Sequence, residues 1–81
     1  MYLHIGKESV INSKNIIGIF NLDYIGNTKE YRGLEKRLND EKKIICVSEK
    51  QNKTFILTQE GKKEKAYMTN IGVYTVAKRF I

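Results

Sequence analysis

Residues 13–22 read Ser13-Lys14-Asn15-Ile16-Ile17-Gly18-Ile19-Phe20-Asn21-Leu22, the most apolar run in the chain. Its β-branched and aromatic residues suit a pleated, packed surface. A strand here turns Ile16, Gly18, Phe20 and Leu22 to one face, and Ile17 and Ile19 to the other. Both faces are apolar and each needs a cover, which predicts a central strand of a sheet. Gly18 is the expected gap through which a covering helix packs closely over Ile16, Phe20 and Leu22.

Upstream, Tyr2–Ile5 and Glu8–Asn12 flank Gly6-Lys7, a pattern that predicts a tight hairpin. Ser13-Lys14-Asn15 reads as a turn that launches the apolar strand. Downstream, Asn27 followed three residues later by Glu30 fits a capping box. The helix it opens is expected from about Thr28 to Glu41, with Tyr31, Leu34 and Leu38 as its apolar stripe. Lys43–Ser48 and Thr54–Thr58 are the next strands, joined by Glu49–Lys53 as a hairpin loop. The polar stretch Gln59–Lys65 leads to a strand at Ala66–Thr69. Val73, Val76, Ala77 and Phe80 recur at helical spacing and predict a short terminal helix opening near Gly72, its last turn carrying Lys78 and Arg79.

The expected fold class is α+β, a mostly antiparallel sheet of about five to six strands. One long helix follows the third strand, and a short helix ends the chain. The 81 residues make a single domain, 1–81. Such a domain buries only about 60–65% of its unfolded surface, so its stability is modest. Cys46 is the only cysteine and His4 the only histidine, which excludes an internal disulfide and argues against an intrachain Cys/His zinc cluster. Self-association is the expected remaining support, and a second subunit or the terminal helix is needed over Ile17 and Ile19.

No residue pattern predicts catalysis. His4 has no nucleophile near it in sequence and reads as structural or superficial. Cys46, among Ile44, Ile45 and Val47, reads as a buried small hydrophobe. The glycines are isolated, so there is no phosphate-binding loop. A non-enzyme is expected, with no cofactor, no metal, no small-molecule substrate and no membrane. No run approaches the roughly 18 apolar residues of a membrane span, and the opening residues lack a signal-peptide layout, so the cytoplasm is the expected location.

Charge carries the functional signal. The net charge is +6. Residues 1–40 hold six Lys/Arg and five Asp/Glu, whereas residues 41–81 hold nine and four. An excess confined to one half points to an anionic partner. Lys50 and Lys53 fall in one expected loop, Lys62, Lys63 and Lys65 in the next, Lys42-Lys43 after the helix, and Lys14 before the apolar strand. Such lysines hold phosphates as mobile point charges without reading bases.

The opening Met1-Tyr2-Leu3-His4-Ile5-Gly6 and the run Ser13–Phe20 resemble the small bacterial extracellular-matrix regulators of biofilm genes. Weaker similarity extends over Val47-Ser48, Lys53–Thr58 and Lys78-Arg79. The resemblance implies a DNA-binding transcriptional regulator whose fold is similar to the LytTR DNA-binding domain and which forms homo-oligomers, ring-like in one branch. One branch of that family uses arginines before its main strand and in a later loop. The matching positions lie near Asn15 and at Lys50-Gln51, where lysine, glutamine and asparagine stand instead. Lysine keeps the attraction to phosphate and loses the bidentate fork. The expected DNA contacts are therefore Lys14, Asn15, Lys50, Gln51 and Lys53, acting on double-stranded DNA. The competing expectation is a protein-interaction module that partners another regulator without binding DNA itself.

Overall fold

A computed structural model describes residues 2–6 and 9–80, without the side chain of Phe80. The elements run β1 (Tyr2–Gly6), β2 (Ser9–Asn12), a 3-10 turn (Ser13–Asn15), β3 (Ile16–Asn21), α1 (Leu22–Ile25) and α2 (Lys29–Asp40). They continue with β4 (Ile44–Cys46), β5 (Thr54–Glu60), β6 (Lys63–Thr69) and α3 (Val73–Phe80). The α+β class holds, but the strands divide into two sheets. β1 and β2 pair alone, and the other four take the order β3-β5-β6-β4. Every pair is antiparallel except β4 with β6, which is parallel. Lys7 and Glu8, at the expected first turn, lie outside the described residues.

The four-stranded sheet is covered on both faces. On one, Tyr31 and Leu38 of α2 pack with Phe55, Ala66 and Met68, joined by Leu22, Ile25 and Leu34. On the other, Leu3, Ile5 and Ile11 of the first hairpin and Val76 of α3 pack on Ile56, with Ile16, Ile19 and Tyr67 beside them. The hairpin and the terminal helix together supply the second cover. The stripe Tyr31, Leu34 and Leu38 faces the core as its spacing predicts. Tyr31 sits edge-on to Phe55, with ring centroids 5.2 Å apart, and its hydroxyl donates to Glu35 at 2.9 Å. Burial first, and then the Glu35 carboxylate, raise the Tyr31 pKa.

The opening stretch is corrected in three respects. β3 is an edge strand, because β4 does not turn back onto β5 and instead lies beside β6, leaving β5 and β6 in the centre. The connection at 47–53 is therefore a crossover and not a hairpin loop. The β3–β5 register also shifts between Ile16 and Gly18. This bulge turns Ile16 to the face of Ile19 and leaves Ile17 57% exposed. Finally, the space above Gly18 is filled by Phe20 of the same strand, whose ring atoms would lie 2.6 Å from an added Cβ. No helix enters that gap.

Smaller differences follow from local hydrogen bonds. Asn21 ends β3 early, because its side chain accepts from the Asp23 N–H at 2.9 Å and starts α1. Thr28 caps α2 in place of Asn27: its Oγ1 accepts from the Tyr31 N–H at 3.2 Å and donates to the Ile25 carbonyl at 2.7 Å. Gln59 and Glu60 continue β5, and Lys63–Lys65 begin β6, so only Gly61-Lys62 turns. Gly61 has φ +61°, the left-handed region that such a tight turn requires. Cys46 is exposed, contrary to its apolar setting in the sequence, because it ends a short edge strand.

Two buried threonines join the layers. Thr54 and Thr69 stand opposite each other on β5 and β6, and both are fully buried. The β1–β2 register shifts between His4 and Gly6, leaving Ile5 without a cross-strand partner among the described residues. The Thr69 hydroxyl donates to the Ile5 carbonyl and accepts from the Ile71 N–H at 3.2 Å. The Thr54 hydroxyl donates to the Ile71 carbonyl at 2.6 Å. Thr69→Val keeps the shape and strands both backbone groups, which costs about 1–3 kcal/mol. Denaturant unfolding of Thr69→Val is expected to show this loss with an unchanged slope, and a stability equal to wild type would contradict it.

Candidate nucleic-acid interface

The parallel register of β4 on β6 sets Ile44 opposite Ala66, and the Ala66 N–H donates to the Lys43 carbonyl at 2.9 Å. That pairing carries Lys42 and Lys43, which follow α2, alongside the start of β6. Lys42, Lys43, Lys62, Lys63 and Lys65 thereby line one shallow concavity of about 340 Å³, with Ile45 and Glu64. The β5–β6 hairpin supplies three of these lysines and the end of α2 supplies two.

Lys42 is held in a strained backbone conformation by the hydrogen bonds that close α2. α2 ends with the Lys42 N–H bonded to the Asn39 carbonyl at 3.0 Å and the Lys43 N–H to the Leu38 carbonyl at 2.8 Å. This close of the helix needs a left-handed residue, a place commonly taken by glycine. Here Lys42 takes it at φ 57°, in a conformation that disfavours a Cβ.

Two of the acidic neighbours are paired, one of them with a lysine of the groove itself. Glu64 pairs with Arg37 at 3.0 Å. Glu41 pairs with Lys43 at 2.8 Å and with Arg37 at 3.5 Å. The Lys43 hydrogen bond, with Arg37 behind it, holds the Glu41 carboxyl below the usual carboxylate range. Among the described residues Lys42, Lys62, Lys63 and Lys65 make no ion pair, so their charge faces solvent. The last-turn cations of α3 are occupied: Arg79 donates to the His4 carbonyl at 3.1 Å, and Lys78 lies 5.2 Å from the Tyr74 ring centroid.

The five residues expected to contact DNA do not form one patch. Lys14 and Asn15 lie in the turn before β3, held by Asn12, whose Oδ1 accepts from the Lys14 N–H at 3.1 Å. Ile16 pairs with Thr58, so this turn sits at the hairpin end of the sheet. Asn15 lines a second concavity there with Lys63 and Lys65. Lys50, Gln51 and Lys53 belong to the crossover, docked where the Lys53 N–H donates to the Thr69 carbonyl and its carbonyl accepts from Leu22, each at 2.9 Å. They are exposed and lie at the opposite end of β5, about 17 Å away along the strand axis. Lys14 and Asn15 thus join the hairpin lysines, while Lys50, Gln51 and Lys53 form a separate pole.

The sequence names every one of these lysines but not their meeting. The signal was the alternation Lys63, Lys65, Tyr67 along β6, which places the three on one face. Only the parallel pairing of β4 brings Lys42 and Lys43 to them. Among the described residues no group of three or more His, Cys, Asp or Glu side chains could hold a metal ion, and no helix is long and apolar enough to cross a membrane. Compared with protein-family models and with curated proteins, the chain matches none.

Lys42→Gly separates the two roles of this residue. It relieves the left-handed strain and is expected to stabilise the fold by about 1 kcal/mol, read as a raised denaturation midpoint. The same variant is expected to bind duplex DNA more weakly than wild type. A lowered midpoint would contradict the strain.

Proposed function

We propose that this chain is a DNA-binding protein that grips duplex phosphates with the lysines at its β5–β6 hairpin end, and that it serves as a transcriptional regulator. The observation that carries the reading is the convergence of Lys42, Lys43, Lys62, Lys63 and Lys65 on one concavity, with Glu64 drawn to Arg37 and Glu41 shared between Lys43 and Arg37. Lys14 extends that end towards β3. Lysine clusters of this kind attract the phosphate backbone and release counterions, with little base discrimination. The regulator role rests on the resemblance to the extracellular-matrix regulators, as do the LytTR-like arrangement and the cytoplasmic location. Homo-oligomers raise the reading's value, because several modest contact sites on one duplex multiply their affinities. The exposed edge of β3, where Ile17 is 57% and Phe20 38% exposed, is the surface available for such assembly.

The same edge favours the second reading, a protein-interaction module that partners another regulator and does not bind DNA. Duplex binding followed over a range of salt concentrations separates the two. Wild type is expected to bind at low salt, with log K falling by about 0.9 per phosphate contacted for each decade of salt. Lys62→Glu/Lys65→Glu is expected to weaken binding by more than about tenfold, and Lys50→Glu/Lys53→Glu by less. Absence of binding at low salt contradicts the DNA reading, and a larger loss from Lys50→Glu/Lys53→Glu moves the interface to the opposite pole. Light scattering tests the edge: Ile17→Lys is expected to reduce the apparent mass, and an unchanged multimer would place assembly elsewhere.

A further inference from the structure

Between the first hairpin and the β5–β6 hairpin lies a concavity of about 320 Å³, at the lower end of the range for small-ligand pockets. Tyr67 of β6 and Tyr2 of β1 line it, with Val10 and Ile11 of β2. At the hairpin end Lys63 and Lys65 project from the same face of β6, and Asn15 comes from the 3-10 turn. Tyr2 is 70% exposed, a large ring with most of its surface uncovered.

We propose that this pocket binds a nucleoside monophosphate, its base against Tyr2 and Tyr67 and its phosphate on Lys63 and Lys65. A base is a flat ring that stacks on tyrosine faces, and such stacking tolerates any base. Lysine ammonium groups hold a phosphate as point charges. The Asn15 amide carries both a donor and an acceptor, suited to the sugar or base edge between the two ends. Glu60 lines the same pocket and stands opposite Lys63 in the β5–β6 ladder. Its carboxylate lowers the net positive charge of that end and so weakens its hold on a polyphosphate more than on a single phosphate.

The pocket shares Lys63 and Lys65 with the duplex groove, whereas Lys42 and Lys62 line only the groove. The ligand is a free nucleotide, so titration without DNA reads this site apart from duplex binding. The same chemistry is offered by the 5′-phosphorylated end of a nucleic-acid strand, so both sources belong in the test.

Calorimetric titration of the full chain with AMP, adenosine, inorganic phosphate and ATP, without DNA, decides the matter. AMP is expected to bind at least about tenfold more tightly than adenosine or phosphate. Lys65→Ala is expected to lower AMP binding to the level of adenosine, Tyr2→Ala to the level of phosphate, and Lys42→Ala to leave it unchanged. Glu60→Gln is expected to strengthen ATP binding most. All four positions are exposed, so the variants keep the fold. AMP binding no better than phosphate, or unchanged by Lys65→Ala, overturns the proposal. Tighter binding of a 5′-phosphorylated tetranucleotide than of AMP overturns the free-nucleotide assignment in favour of a strand end.

Discussion

Thr54 and Thr69 face each other on the two central strands and bond to the backbone of what lies above them. Their hydroxyls reach the Ile5 carbonyl and both backbone groups of Ile71. A sheet face paved with apolar side chains would attract β1, β2 and α3 without fixing where they sit. Buried hydroxyls change that, because an unpaired backbone group in the same place costs more than the bond itself contributes. The bulge that frees Ile5 from its own hairpin is what makes Thr69 necessary. This pair fixes β1 at Ile5 and the chain at Ile71 over the apolar contacts that Leu3, Ile11 and Val76 make with Ile56.

The opposite end of the sheet is fixed by a different constraint. β4 is only three residues long, and its parallel partner β6 is reached without a hairpin. The Val47 N–H extends that ladder to the Met68 carbonyl at 3.0 Å, and the chain then crosses to begin β5 at the far end. One consequence is that the lysines after α2 lie beside those of the β5–β6 hairpin. Another is that Lys50 and Lys53 are carried away from them. The strained backbone at Lys42 belongs to the same arrangement, since the chain must leave α2 abruptly to enter β4 in register. Strain accepted at a charged, exposed residue fits a surface used for contact.

Much of this fold was legible in the residues. Tyr31, Leu34 and Leu38 mark the face of α2, and Val73, Val76 and Ala77 mark α3, because helical periodicity is a local property. The strands were legible as apolar runs for the same reason. Their partners were not. Ser13–Leu22 has two apolar faces and reads as central, yet pairing order depends on where β4 goes, and nothing in residues 13–22 encodes that. The bulge at Ile17 was equally hidden, since one shifted residue exchanges the faces that simple alternation assigns to Ile16. For the site, charge was legible and proximity was not. Lys14 and Asn15 keep company with the hairpin lysines through the Ile16–Thr58 pairing, and Lys50, Gln51 and Lys53 do not.

The central claim is that the parallel β4–β6 pairing assembles one lysine surface that meets duplex phosphates. Amide chemical-shift mapping with a short DNA duplex at low salt tests it most directly. The account predicts shifts concentrated at Lys42, Lys43 and residues 61–65, extending to Lys14, with residues 50–53 little changed. Shifts confined to residues 50–53, or absent altogether, would contradict it.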